Sequence, residues 1–465
     1  MPRSLLAFAV LATFSLPCRG DQTAPSSETV IRLTVQPMAA PKPALRYLLL
    51  PDLKEINPGN PAHGYLRCFA EQQNFFFDKE ICERRNKLLT MPLKELPVQD
   101  LLDYGKFALH QADWAARLDK PDWQILLKLR TDGVNLLLPD LQQMRTLANA
   151  LKVRFRAEVA LGRFDDAIRT AKTLFAMSRH LGEHPTLISD LVAMAIAFVA
   201  IDPLQEMLEQ PGCPNLYWAL TNLPTPLVSL EKGLEGETVL IAGEFRDLDE
   251  NTPMNEDQLR KLMAHVDLVR EVNKNEQKPD ASKRSTRAWL DEHLKDPGSI
   301  SSARRRLVEA GFPEDRLLRF PAEQVLLLDE MRGFKELRDE SAKLMPLPAW
   351  QVETLAGQIK APNQDALFES LASAYLRVRR AQGRLEQRIA LLRHVEALRL
   401  YAAEHDGKLP VNLSEITVPL PPDPFTGKPF HFRLDGVTAH LRGTPPAGLE
   451  KDAAWNIHYE VTIQK

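Results

Sequence analysis

Apolar side chains recur at three- and four-residue steps through most of this chain, a spacing that predicts helices. Met144, Leu147, Leu151 and Phe155 share one face of a helix ending at Gly162. Ile168, Ala171, Leu174, Phe175 and Leu181 share a face of the next, which ends near Gly182. Residues 191–201, the longest internal apolar run, are fenced by Asp190 and Asp202. That run is too short to span a bilayer and predicts a buried helix. A helix over 256–273 leads into 274–285, whose charged and polar composition predicts a solvated linker. The sharpest stripe lies between 364 and 405, where Leu371, Tyr375, Val378, Leu385, Ile389 and Leu392 alternate four- and three-residue steps. Gln382 and Glu396 interrupt it, and Asp406-Gly407 closes the helix. Arg377, Arg380, Arg384 and Arg388 line its polar flank, where their stems cover the edges of the seam.

Beyond that helix the period drops to two. Residues 430–434, 437–441 and 457–463 alternate, and Asp435-Gly436 is a strong hairpin signal. The prolines between 419 and 424 force a stiff crossing, and residues 412–415 predict one helical turn. The predicted fold is mainly α, a helical-hairpin body followed by a C-terminal long helix packed on a small antiparallel β-meander. Its expected segments are a polar, Pro-rich, mobile lead-in over 21–43, a helical body over 44–230, a charged helical region over 231–364, and the long helix with three strands over 365–465.

The first twenty residues change the cellular picture. Arg3, the apolar run from 5 to 16 and the small residue before Asp21 have the form of a secretory signal peptide, with cleavage near Gly20. An uncleaved N-terminal anchor is the alternative. Either way the chain is expected to be exported, to the periplasm or beyond, with no further membrane span. Formal net charge is -3, with 59 basic against 62 acidic residues, so no global field attracts nucleic acid. After cleavage Cys68, Cys82 and Cys213 remain, leaving two readings open. Cys68 and Cys82 pair across a helical hairpin, or all three are buried thiols. A continuous helix between the first two would hold them about 21 Å apart and forbid the bond.

Two resemblances follow from particular residues. In residues 161–168 (Leu-Gly-Arg-Phe-Asp-Asp-Ala-Ile), Gly162 suits the left-handed closure of a helix, Asp165 the start of the next, and Phe164 the crevice between them. This turn resembles the inter-helix turn of tetratricopeptide-type repeats, and implies a helical hairpin of that kind. No second copy lies one repeat length away. Residues 401–410 and 420–430, with the order Asp423-Pro424-Phe425-Thr426-Gly427-Lys428-Pro429, resemble the helix-to-sheet region of type II secretion pseudopilins and related pilin-like domains. That likeness covers about a fifth of the chain and implies the fold of the segment. The apolar stem and acidic calcium loop of such proteins are absent from the pattern.

One catalytic pattern is present. His180-Leu181-Gly182-Glu183-His184 spells the inverzincin order, in which two imidazoles one turn apart bind zinc and the glutamate activates water. Glu183 is then the candidate catalytic residue, and His180 and His184 the candidate metal ligands. The chemistry needs all three on one helix, whereas Gly182 and Pro185 predict a helix end there. Asp423 and Asp435 sit near turns, where they either form the turn or join a cation site. Tyr217 and Trp218, with Trp114 and Trp123, read as packing aromatics rather than a binding wall. The Arg304-Arg305-Arg306 triplet reads as a wet helix face. No phosphate loop, nucleophile elbow or paired-cysteine clamp occurs. The expectation is a non-enzymatic binding or scaffold protein of the cell envelope, without a cofactor, whose partner is another envelope protein. The alternatives are a zinc-dependent hydrolase at residues 180–184 and an accessory of a type II secretion-like machine.

Overall fold

A computed structural model of the chain describes residues 28–272, 284–359 and 367–464. The expected signal peptide lies outside them, as does most of the expected linker. The main elements are strand β1 (Thr29–Val35) and helices α1 (Pro61–Glu71), α2 (Lys106–Ala115), α3 (Pro139–Ala160), α4 (Phe164–Leu181) and α5 (Leu187–Leu208). Then come α6 (Glu256–Val272), α7 (Pro297–Glu309), α8 (Ala322–Ala342) and the 36-residue α9 (Glu369–Glu404). Strands β2 (His431–Asp435), β3 (Thr438–Arg442) and β4 (Ile457–Ile463) finish the chain. The fold is mainly α with one small sheet, as the hydrophobic spacing predicts.

Two compact units divide these elements. One comprises Ile125–Leu136 and Leu234–Arg379. Its core gathers Val266 from α6, Leu307 from α7, Leu327 and Met331 from α8, and Leu290 between them. Gln324 closes a loop over this core, accepting from Met254 N and donating to the carbonyls of Asp249 and Thr252. Arg306 does not lie on a wet face as the triplet suggests. It bonds the buried Asp329 of α8, which also takes Arg332, while Arg305 remains exposed. A carboxylate out of water needs such partners, and only the tertiary packing reveals them.

The other unit comprises residues 28–124, 137–233 and 380–464. The segments 44–230, 231–364 and 365–465 expected from sequence texture are therefore not the units of the fold. The sheet strands and the last two thirds of α9 pack with the N-terminal helices, through pairings far apart in sequence that leave no local signal. Helices α3 and α4 form the expected hairpin. Arg163 N bonds Glu158 O at 2.9 Å and Gly162 N bonds Val159 O at 3.0 Å, with Gly162 at φ +69°. This is the Schellman closure, which requires a left-handed residue at that position. Asp165 and Asp166 occupy the first turn of α4, where they complement its positive end. The apolar run expected over 191–201 belongs to the longer α5. Thr186 caps it, Pro203 lies inside it, and it is long and apolar enough to cross a membrane by length and composition. Most of its apolar stretch is buried inside the unit, the pattern of a core helix.

The sheet has four strands in the order β1-β4-β3-β2, not three. β1 runs parallel to β4 and the remaining pairs are antiparallel. The segment read as a mobile lead-in thus holds a strand. Thr-Val-Ile-Arg-Leu-Thr-Val alternates and is rich in β-branched residues, but the prolines that follow mask the signal. Leu33, Val35, Ala439, Leu441, Ile457, Tyr459 and Val461 form the buried face of the sheet. Gln205 of α5 donates to Tyr459 Oη, and the Arg388 guanidinium of α9 lies 5.5 Å from the Tyr459 ring centre. Arg388 is buried beneath the sheet rather than flanking the seam in water.

Candidate functional site

The residues of the inverzincin pattern are not brought together. α4 ends at Leu181 with Gly182 as its cap, so His180 lies on the helix while Glu183 and His184 follow its end. His180 Nδ1 lies 2.9 Å from Tyr65 Oη, its carbonyl accepts from Trp123 Nε1, and burial pushes its pKa down to about 4. Glu183 is exposed. His184 is fully buried, with Nδ1 3.1 Å from Thr186 Oγ1 and its ring 5.6 Å from that of Trp123. The imidazoles are tied to separate structural partners, and the glutamate faces water.

The cysteines are free, which corrects the disulfide reading. Cys68 Sγ donates to Gly64 O and Cys82 Sγ to Phe76 O, each satisfied without its counterpart. Burial pushes the Cys68 and Cys213 thiols up to about 12, so neither supplies a thiolate near neutrality. Asp423 is a turn residue. Its carboxylate accepts from Phe425 N, Thr444 N and Gln387 Nε2, leaving it committed to the Pro-rich crossing. Asp435 is exposed beside Arg433. Tyr217 is buried and donates to Pro419 O, so it pins the crossing to the core as expected. Trp114 differs from its expected packing role, since about half its surface stays in water.

Among the described residues, one group of three metal-ligating side chains converges: His440 of β3 with His458 and Glu460 of β4. Their positions follow from register. His440 pairs with Glu460 and Arg442 with His458, so all four side chains stand on the face opposite the buried one, with the histidines diagonal to each other. His440 Nδ1 is 2.9 Å from His458 Nε2 and 4.0 Å from Glu460 Oε1. Behind them stand oppositely charged partners. Arg32 of β1 donates to Glu460 Oε2 at 2.9 Å, and Glu28 Oε1 lies 3.4 Å from His458 Nδ1 and 3.3 Å from Arg442 Nε. Burial holds His458 below its ordinary pKa, against the opposing pull of Glu28. Beside the group lies an open groove of about 320 Å³ whose lining includes Glu28, His431, Arg442, Thr444 and Asn456.

Sequence reading missed this group because His440 lies 18 residues before His458, across the Pro445-Pro446 connection. The available signal was alternation. Once β3 and β4 are antiparallel neighbours, His440, His458 and Glu460 fall on one face.

The class these features define is a mainly α protein with a helical-hairpin unit completed by a small mixed sheet. Compared with protein families, curated proteins and solved structures, the chain matches none.

Proposed function

We propose that this chain is an exported, non-enzymatic binding or scaffold protein of the cell envelope, and that its partner is another protein. The supporting observation is a pair of exposed aromatics on α2. Phe107 and Trp114 are seven residues apart, so they share one helical face, and they are 76% and 51% exposed. Exposed Phe77 and Leu102 belong to the same part of the chain. Large rigid aromatics left in water supply the anchors that dominate protein interfaces. The export half of the reading rests on the charged, apolar and small-residue order of residues 3–20.

Pull-down from envelope extracts tests both halves, with Phe107→Ser/Trp114→Ser as comparison. The expected outcome is one envelope protein recovered reproducibly with the unaltered chain and lost with the double variant. Retention of the chain in the cytoplasm, or a partner held equally by both forms, overturns the reading. The alternative, an accessory of a type II secretion-like machine, is supported by the resemblance of residues 401–410 and 420–430 to pilin-like domains. It predicts an export defect on deletion.

A further inference from the structure

The His440, His458 and Glu460 group goes beyond protein binding. Three features distinguish it from histidines that merely decorate a sheet. First, the ligand atoms are closely gathered. Tetrahedral zinc with bonds of about 2.05 Å separates its ligand atoms by about 3.3 Å. The 2.9 Å and 4.0 Å separations here bracket that figure, and all three ligand atoms lie within 4.8 Å of one another. Second, two ligands have oppositely charged neighbours behind them. A metal-bound imidazole is commonly oriented by a carboxylate on its other nitrogen, and Glu28 Oε1 stands 3.4 Å from His458 Nδ1, an ion-pair distance that a metal on Nε2 would draw into a hydrogen bond. Arg32 occupies one oxygen of Glu460 and leaves Oε1 facing His440. Third, the three ligands come from two adjacent paired strands, which fix their spacing more firmly than loops would.

We propose that His440, His458 and Glu460 form a binding site for a first-row transition-metal dication of the zinc type, with Glu28 and Arg32 orienting the ligands. Two imidazoles select such an ion over calcium or magnesium, which take oxygen ligands. Arg32 and Arg442 balance Glu460 and Glu28, so the group carries no excess negative charge to gather hard cations non-specifically. Three protein ligands leave a coordination position for water or for a donor from a binding partner.

The test uses the full chain, stripped with chelator, loaded with zinc, desalted and assayed for bound metal. Cobalt(II) substitution reports geometry. Expected are one zinc per chain and strong visible cobalt bands of four-coordinate type. His440→Gln and Glu460→Gln should each weaken binding at least about tenfold, and Glu28→Gln about 10- to 100-fold. His63→Gln, an exposed histidine on α1, should leave binding unchanged. Circular dichroism checks that each variant is folded. Substoichiometric zinc on the unaltered chain, an octahedral cobalt spectrum, or equal binding by a folded His440→Gln/His458→Gln variant overturns the proposal. The aromatic face of α2 plays no part in this measurement, so failure here leaves the protein-binding reading standing, and the reverse holds.

Discussion

Glu396 and Arg399, three residues apart on α9, form a 2.8 Å ion pair with side chains 0% and 1% exposed. Glu396 also accepts from Leu216 N and Asn215 Nδ2, and Arg399 donates to the carbonyls of Gln36, Cys213 and Pro214. The pair thereby joins the long helix to the loop before Tyr217 and to the segment after β1. Burial raises the Glu396 pKa even beside the guanidinium, a sign of how costly the pair is to hold out of water. Removing one partner strands the other. Arg399→Met or Glu396→Leu should each cost about 3–5 kcal/mol, whereas the double apolar replacement should cost less than the sum. Urea denaturation of the three variants checks this, and additive losses would show that the two charges are not coupled.

Acid should weaken the fold through His394. Its ring is buried, 4.9 Å from Phe430 and facing it edge-on, its Nδ1 lies 2.9 Å from Ala390 O, and Arg393 adjoins it. Burial, with a smaller push from Arg393, lowers its pKa from 6.5 to about 4. The unfolded chain therefore binds this proton more readily than the folded one. Stability from the neutral ring is complete above pH 6.5 and is lost as pH falls from there towards 4. At about 1.4 kcal/mol per pKa unit the loss is of order 3 kcal/mol. A His394→Gln variant should show a flatter stability profile across that window. An unchanged slope would place the acid sensitivity elsewhere.

The three residues of the inverzincin pattern should separate by burial rather than act together. His184→Ala opens a cavity beside Trp123 and leaves Thr186 without its ring partner, for an expected loss of about 2–4 kcal/mol. Glu183→Gln, on an exposed side chain, should change stability by less than about 0.5 kcal/mol. Thermal unfolding with and without chelator distinguishes this from a metal role. Chelator-sensitive unfolding abolished by Glu183→Gln would restore zinc to residues 180–184.

The elements the sequence made legible are those whose signal is local. The α3–α4 turn carries its own glycine and acidic first turn, and the β2–β3 hairpin carries Asp435-Gly436, with Gly436 at φ +57°. The turns at 406–407 and 412–415 likewise fall where expected, the first with Asp406 and Gly407 both at positive φ, the second with an Asn412/Glu415 capping box. What escaped depends on partners distant in sequence. Gln382 and Glu396 read as breaks in an apolar stripe, yet both are buried and bonded, Gln382 to Val228 O. α9 is enclosed on more sides than a seam predicts. Polar groups that look like errors in a helical pattern are often buried contacts whose other half lies far away in the sequence. The histidine group of the sheet escaped for the same reason, since register between β3 and β4 is a tertiary fact.

The last expectation concerns β1. Leu33 and Val35 are buried, and the strand covers the outer edge of β4 along its whole length, from Thr29 opposite Ile457 to Val35 opposite Ile463. Without it, β4 presents a row of unpaired backbone groups and an uncovered apolar face, a template for pairing with other chains. A mobile lead-in and a sheet strand make opposite forecasts for shortened chains. A chain beginning at residue 28 should unfold like the full chain, whereas one beginning at residue 44 should aggregate or melt without a cooperative transition. Within the intact chain, Leu33→Ala should cost about 2–4 kcal/mol through lost burial and the cavity it leaves. Equal stability of the two shortened chains would mean that β1 contributes nothing to the fold. Melting curves and light scattering of the pair decide it.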